Sequence, residues 1–370
     1  MPKFVTLALL LSLVAARPLA EMNQAFQALV RLLPYLADGA SFRDPANRQL
    51  IGAQVDLLTD AFTKAKHKDL LQEDIFAPSY ELVVEGLKDS REAFRNRKSD
   101  YAHWRLREVT SFCIDCHTRI PSLHASSYQS GDLTLPMAKY PDTYTRGLAA
   151  LIVRRYDDAT AHFLATVDEE VGRRTFHRAE AAVKQLALIA LKMKRAPQAL
   201  RATYQGLLAK ELPLSLKTEL AEKLKELAVL EKSPLAQPHS SLETIFTELQ
   251  KLRSGNESFE RIELRLLLAA GQLAHYSFVH PKAPEAPEIS FWLGWSEKVL
   301  KRNDYYGSAN HFFKHCVRRY GKFLIARECM RELEESIEFD FTGSAGTDVP
   351  ADVAKELKTL RDSLPSAKKN

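Results

Sequence analysis

Glycine is scarce in this sequence, with 14 of 370 residues, whereas leucine, alanine, glutamate, lysine and arginine are plentiful. These abundant residues are good helix formers, and glycine is a poor one. The composition therefore predicts an all-α protein. The length predicts two or more domains.

An excess of charge of one sign is also lacking. The chain has 52 lysines and arginines against 47 aspartates and glutamates, which gives a net charge of +5. A nucleic-acid-binding surface is normally far more basic than this. We therefore expect no nucleic-acid partner.

The sequence has no apolar run long enough to span a bilayer, which takes ~20 residues. Its most apolar stretch, Phe4–Ala16, follows Lys3 and ends in the small residues typical of a signal-peptidase site. Residues 1–16 are therefore predicted to be a signal peptide, cleaved after Ala16 or, as second choice, after Ala20; a membrane anchor is the alternative. We expect a periplasmic protein without an integral membrane span after cleavage.

Cysteine is rare as well, with four residues in the chain, and two of them form the run Cys113-Ile114-Asp115-Cys116-His117. A C-x-x-C-H run is typical of covalent haem c attachment. The two thiols form thioethers with the porphyrin, and the histidine becomes an axial iron ligand. In a helix, positions i, i+3 and i+4 share one face. Cys113, Cys116 and His117 are therefore the predicted haem-binding residues, for one haem c.

Other interpretations of the motif are a disulfide, half of a zinc site or a thioredoxin-like redox motif. No further Cys or His lies at zinc-site spacing, and the βαβ context of a thioredoxin is absent. The other two cysteines, Cys316 and Cys329, fall on successive predicted helices. In an oxidising compartment they could form a disulfide, depending on a Cα separation that sequence does not give.

Four amphipathic helix patterns precede or contain the motif. They run from about Glu21 to Ala37, onward from Asp44-Pro45, from about Ile75 to Phe94, and from Ser99 to before Pro121. Short loops between such helices predict an antiparallel four-helix bundle.

In an up-down-up-down bundle, the start of the first helix and the end of the last lie at the same end. This places Met22 near His117. Met22 is thus a candidate second axial ligand, which would give a low-spin iron with a raised potential. It also lies on the apolar stripe of its helix, so the alternative is a core residue that does not bind the iron.

The four helices and the position of Cys113–His117 near the end of the last one resemble the cytochrome c′ family over about 100 residues. The resemblance implies that Cys113 and Cys116 hold the haem and that His117 is the proximal ligand. Some members leave the sixth position open to NO or CO, whereas others use a methionine where Met22 stands. Members often form homodimers, so a homodimer is a further expectation. The sequence departs from the family at Ile120-Pro121, where the last helix often continues.

Serine, glycine and proline concentrate at 126–141 and predict a linker. The predicted divisions are a cytochrome domain at 17–125, this linker, a helical-repeat region at 142–340 and a C-terminal helix and tail at 341–370. The repeat region resembles tetratricopeptide repeats loosely. It forms an α-solenoid of helix pairs in this prediction, a scaffold for docking another protein. The residues at repeat offsets are Gly147, Tyr156, Ala159 and Phe163, then Ala187 and Ala199, then Gly294, Ala309, Phe313 and Cys316.

Two further groups have alternative interpretations. His311 and His315 stand at i, i+4 and could chelate a metal, although no third ligand is evident. A set of basic residues around the third and fourth helices could steer an acidic redox partner or form a solvated face. That set is Arg91, Arg95, Arg97, Lys98, Arg105, Arg107 and Arg119.

Three functions follow as hypotheses. The first is a periplasmic monohaem cytochrome that transfers single electrons with a redox partner protein while the repeats dock another protein. The second is a haem-based sensor or binder of NO or CO. The third is a scaffold that the haem stabilises. In none of these three hypotheses does the protein itself act as an enzyme.

Overall fold

The computed structural model describes residues 20–64, 73–119, 135–237, 240–303, 308–344 and 346–365, with side chains from Gln24 onward. The described chain is helical apart from one short antiparallel ribbon, which confirms the all-α prediction. The predicted signal peptide at 1–16 and most of the predicted linker at 126–141 lie outside the described residues. Within the described residues, no helix is both long and apolar enough to cross a membrane.

The helices are numbered along the chain. They are α1 (Ala20–Ala37), α2 (Gly39–Arg43), α3 (Arg48–Thr63), α4 (Ala77–Arg95), α5 (Ser99–His117), α6 (Thr143–Ile152), α7 (Tyr156–Arg173), α8 (His177–Ala187), α9 (Pro197–Leu208), α10 (Leu214–Leu230), α11 (Leu242–Ser254), α12 (Phe259–Val279), α13 (Ala286–Lys301), α14 (Ala309–Tyr320), α15 (Ile325–Asp340) and α16 (Ala351–Asp362). Strands β1 (Thr342–Gly343) and β2 (Gly346–Thr347) pair with each other. A π-helical segment, Leu188–Met193, follows α8 directly. Short 3-10 segments lie at Pro45–Asn47, Met137–Lys139 and Pro234–Ala236.

The chain groups into two compact units that interleave along the sequence. The first unit takes the described parts of Met1–Asp69, Val83–Thr110 and Pro121–His162. The second takes the described parts of Leu70–Leu82, Ser111–Ile120 and Phe163–Asn370. The motif at 113–117 therefore groups with the long carboxy-terminal part of the chain, although Ser99–Thr110 of the same helix groups with the first unit.

In the first unit, α1, α3, α4 and α5 contact one another in turn. The side of α3 at Gly52 lies against the Phe94 ring of α4, where an added Cβ would be 3.2 Å from the ring. The helices α4 and α5 approach closely at Gly86, where an added Cβ would be 2.6 Å from the Val109 side chain. The ring of His103 on α5 lies 3.0 Å from the carbonyl oxygen of Leu36 on α1.

In the second unit, small residues let helices approach closely. Gly294 of α13 faces the Phe313 ring of α14, and an added Cβ would lie 2.8 Å from it. Gly271 of α12 faces the backbone of the π-helical segment, and an added Cβ would lie 2.5 Å from the Lys192 carbonyl oxygen. Of the two alanines at the second repeat offset, Ala187 is buried but Ala199 is exposed.

A disulfide joins α14 to α15. Cys316 and Cys329 are bonded, with their Cα atoms 6.3 Å apart, and both are fully buried. The helix-to-helix pairing that the sequence left open is therefore formed.

Candidate haem-binding site

The C-x-x-C-H motif lies in the last turns of α5. Because α5 continues to His117, the two cysteines and the histidine stand at i, i+3 and i+4 of one helix and share a face. Cys113 is 7% exposed, whereas Cys116 and His117 are partly exposed. Neither Cys113 nor Cys116 is in a disulfide.

This turn also carries a buried polar pair. At about 100° per residue, Asp115 points away from Cys113 and His117. Arg119 lies two residues beyond the end of α5. Asp115 is 0% exposed and Arg119 is 1% exposed, and the two form an ion pair. The sequence predicted that Arg119 would lie on a solvated helix face or steer an acidic redox partner. Both predictions are wrong for this residue because its side chain is buried.

Two serines complete the first layer around this ion pair. The Ser79 hydroxyl donates to Asp115 Oδ2 at 3.0 Å, and the Ser308 hydroxyl donates to the same oxygen at 2.7 Å. The Arg119 guanidinium donates to the hydroxyl oxygens of Ser79 at 2.6 Å and Ser308 at 2.8 Å. It also lies over the Phe312 ring, 4.5 Å from the ring centre.

Two more charged residues extend the cluster. Glu297 of α13 lies with Oε1 3.7 Å from Arg119 Nε, and Lys192 of the π-helical segment donates to Glu297 Oε1 at 2.7 Å. Glu297 is 0% exposed and Lys192 is 3% exposed. We call Ser79, Asp115, Arg119, Lys192, Glu297 and Ser308 the anchor cluster. The cluster contains two acidic residues, Asp115 and Glu297, and two basic residues, Arg119 and Lys192.

The cluster shifts the pKa values of its members in opposite directions. Burial disfavours the Asp115 carboxylate, but the charges of Arg119 and Lys192 outweigh burial and lower its pKa. Burial, followed by the Asp115 charge, raises the pKa of Glu297 to about 7. On the other face, burial raises the pKa of the Cys113 thiol to about 12.

The donor set of this turn fits a covalently bound haem. Two thiols one turn apart and an adjoining imidazole are the groups that such a haem requires. The side chains of Asp115 and Arg119 bond to each other and to Ser308 within the anchor cluster.

The other sequence candidates are placed differently. Met22 belongs to α1, but its side chain lies outside the described residues, so its ligation stays a prediction. His315 Nε2 lies 2.7 Å from Asp74 Oδ1, and this contact occupies one nitrogen of the proposed His311 and His315 pair. In the described part of the chain, no three His, Cys, Asp or Glu side chains are arranged to hold a metal ion.

Sequence reasoning missed the anchor cluster. One signal was present, because Asp115 and Arg119 have the i, i+4 spacing of a helical ion pair. The other partners carry no such signal. Ser308 is 193 residues from Asp115, and nothing local marks it.

The chain matches no protein-family model, no curated protein and no solved structure. Its function must therefore be argued from its own residues.

Proposed function

We propose that this protein is a periplasmic monohaem c-type cytochrome that transfers single electrons between partner proteins. The observation that carries the proposal is the arrangement of Cys113, Cys116 and His117 on one face of the last turns of α5. Both cysteines are outside the disulfide that the chain forms elsewhere.

In this proposal Cys113 and Cys116 bind the haem covalently and His117 binds its iron. The bound haem supplies a one-electron redox centre. The buried Cys113 and the partly exposed Cys116 would form the two thioethers, and the partly exposed His117 would supply the iron ligand. Met22 is the proposed second ligand, as in the low-spin members of the family that the sequence resembles.

The proposal also assigns an architecture. The helices α1, α3, α4 and α5 form an antiparallel four-helix bundle, and residues 142–340 form tetratricopeptide-like helix pairs that dock another protein. The successive contacts of the four helices support the bundle. The close approach of α13 and α14 at Gly294 supports helix pairs in the repeat region.

The decisive experiment is expression in a host that matures haem c. The purified chain should carry one covalent haem by intact mass and show a c-type optical spectrum. The variant with both Cys113→Ser and Cys116→Ser should lose the haem. The matched control with both Cys316→Ser and Cys329→Ser should keep it. A colourless wild-type chain with the mass of the bare peptide would refute the proposal.

The spin state of the iron separates electron transfer from gas binding. A low-spin EPR spectrum that becomes high-spin in Met22→Ala supports a His/Met iron and an electron carrier. A five-coordinate iron that binds CO or NO rapidly in the wild type supports a gas-binding protein instead. A scaffold role would follow if a redox-silent metal in the porphyrin preserved function in cells.

A further inference from the structure

Asp115 lies two residues before His117, and Arg119 lies two residues after it. The side chains of both contact residues from much later in the chain. Ser308 contacts both of them, Glu297 approaches Arg119 and Lys192 contacts Glu297. The side chains on both sides of His117 in the sequence are thus tied to the segment before α14, to α13 and to the π-helical segment.

Each of these contacts is buried, and burial of charged groups is costly. Removing such charges from water costs several kcal/mol per ion, and replacing a buried ion pair by apolar residues is often neutral or stabilising. A buried charged cluster is therefore an inefficient device for stability alone. It does fix orientation, because hydrogen bonds to charged groups are directional.

Arg119 also makes more contacts than an ion pair with Asp115 alone would require. Arg119 donates to Ser79, Asp115 and Ser308 and stacks over Phe312, so its guanidinium is fixed by several groups at once. The π-helical segment that carries Lys192 packs against Gly271 with no room for a Cβ. Single-turn π-helical segments are frequent at functional sites.

We propose that Ser308, Glu297 and Lys192 are positioning residues for the haem ligand. They hold Asp115 and Arg119, and through them they orient the helical turn that presents Cys116 and His117. Residues that bond to a metal ligand and orient it also affect how tightly the site binds its metal. The carboxy-terminal helices thus help to build the haem site, in addition to docking a partner. This inference rests on the proposed function, since it assigns a role toward the same haem.

The chain offers matched controls. Ser296, next to Glu297 on α13, is fully buried, but its hydroxyl has no hydrogen-bond partner among the described residues. Lys223 is 5% exposed and forms an ion pair with buried Glu263, away from the anchor cluster. Ser308→Ala is therefore paired with Ser296→Ala, and Lys192→Met is paired with Lys223→Met. The two variants of each pair remove the same chemical group from side chains that are similarly buried.

The first measurement uses the haem-free chain. Amide hydrogen exchange over residues 113–119 reports local opening of the turn. Loss of a hydrogen bond to a buried charged group should speed this exchange about tenfold, which corresponds to about 1.4 kcal/mol, in Ser308→Ala and Lys192→Met. The two control variants should leave exchange over 113–119 unchanged, even where Lys223→Met lowers overall stability.

The second measurement uses the haem-loaded protein. The ferric EPR g-values and the midpoint potential should shift in Ser308→Ala and Lys192→Met and stay at the wild-type values in the controls. If the haem is bound and both variants match their controls in exchange, g-values and potential, the positioning role is refuted while the proposed function stands. If the wild type binds no haem, the proposed function fails, and the exchange data alone show whether the cluster holds the turn.

Discussion

Glu297 is a carboxyl group with no access to water, and its ionisation is linked to folding. Burial and the neighbouring Asp115 raise its pKa to about 7 from an ordinary 4.5. The folded chain therefore holds this proton more tightly than the unfolded chain does. The resulting stabilisation is complete below about pH 4.5 and is lost as the pH rises through about 7.

We expect the free energy of unfolding to fall between pH 5 and pH 8, and Glu297→Gln to remove part of that fall. Urea unfolding at several pH values in this range measures both. Glu226 has a pKa raised to about 7 as well, chiefly by burial, so Glu226→Gln should remove a separate part. An unchanged pH slope in Glu297→Gln would contradict the assignment.

Among the helices, two glycines with different surroundings give opposite predictions. Gly271 of α12 lies against the backbone of the π-helical segment, where an added Cβ would be 2.5 Å from a carbonyl oxygen. Gly271→Ala should therefore push the two elements apart and destabilise the chain by about 1–3 kcal/mol. The segment that moves carries Lys192 into the anchor cluster, so amide hydrogen exchange over residues 113–119 should change with it.

Gly206 of α9 is the control, because an added Cβ there meets nothing within 4 Å. Alanine is the better helix former, so Gly206→Ala should stabilise the chain by about 0.5–1 kcal/mol. Urea unfolding of the two variants beside the wild type measures both changes. Equal effects at the two positions would show that the backbone contact at Gly271 is unimportant.

The disulfide between α14 and α15 constrains a short stretch of chain. The bonded cysteines are 13 residues apart in sequence. Cross-links of this span stabilise by about 3 kcal/mol, mainly by restricting the unfolded chain. The variant with both Cys316→Ser and Cys329→Ser should lose about 2–3 kcal/mol in urea unfolding. Reductant should lower the stability of the wild type and leave that variant unaffected.

Considering the molecule as a whole, three of its described helices, α4, α5 and α7, are each divided between the two compact units. Residues up to Thr110 of α5 group with the first unit, and residues from Ser111 group with the second. A fragment of residues 17–125 keeps Asp115 and Arg119 but lacks Lys192, Glu297 and Ser308. We therefore expect the two parts of α5 to respond differently to this truncation.

In that fragment, amide hydrogen exchange over 111–119 should become fast while exchange over 99–110 keeps much of its protection. The full-length chain under the same conditions is the comparison. Equal protection of both stretches in the fragment would show that the first part of the chain holds the motif turn without the anchor cluster.

The positions of the local helices could be predicted from the amino-acid sequence alone. The apolar period predicted α1 from about Glu21 to Ala37 and placed the start of α5 at Ser99, and the structure has Ala20–Ala37 and Ser99–His117. Helix spacing alone put Cys113, Cys116 and His117 on one face. These results follow because helix formation and the sharing of a helix face depend on residues within one or two turns.

The contacts that Asp115 and Arg119 make with distant residues could be known only from the folded chain. The sequence allowed Arg119 to be a solvated charge, and it left the pairing of Cys316 with Cys329 open. Both outcomes depend on which helices meet, and contacts such as that of Asp115 with Ser308, 193 residues away, leave no local pattern. A helix face is a local property, whereas its partner is chosen by the packing of the whole chain.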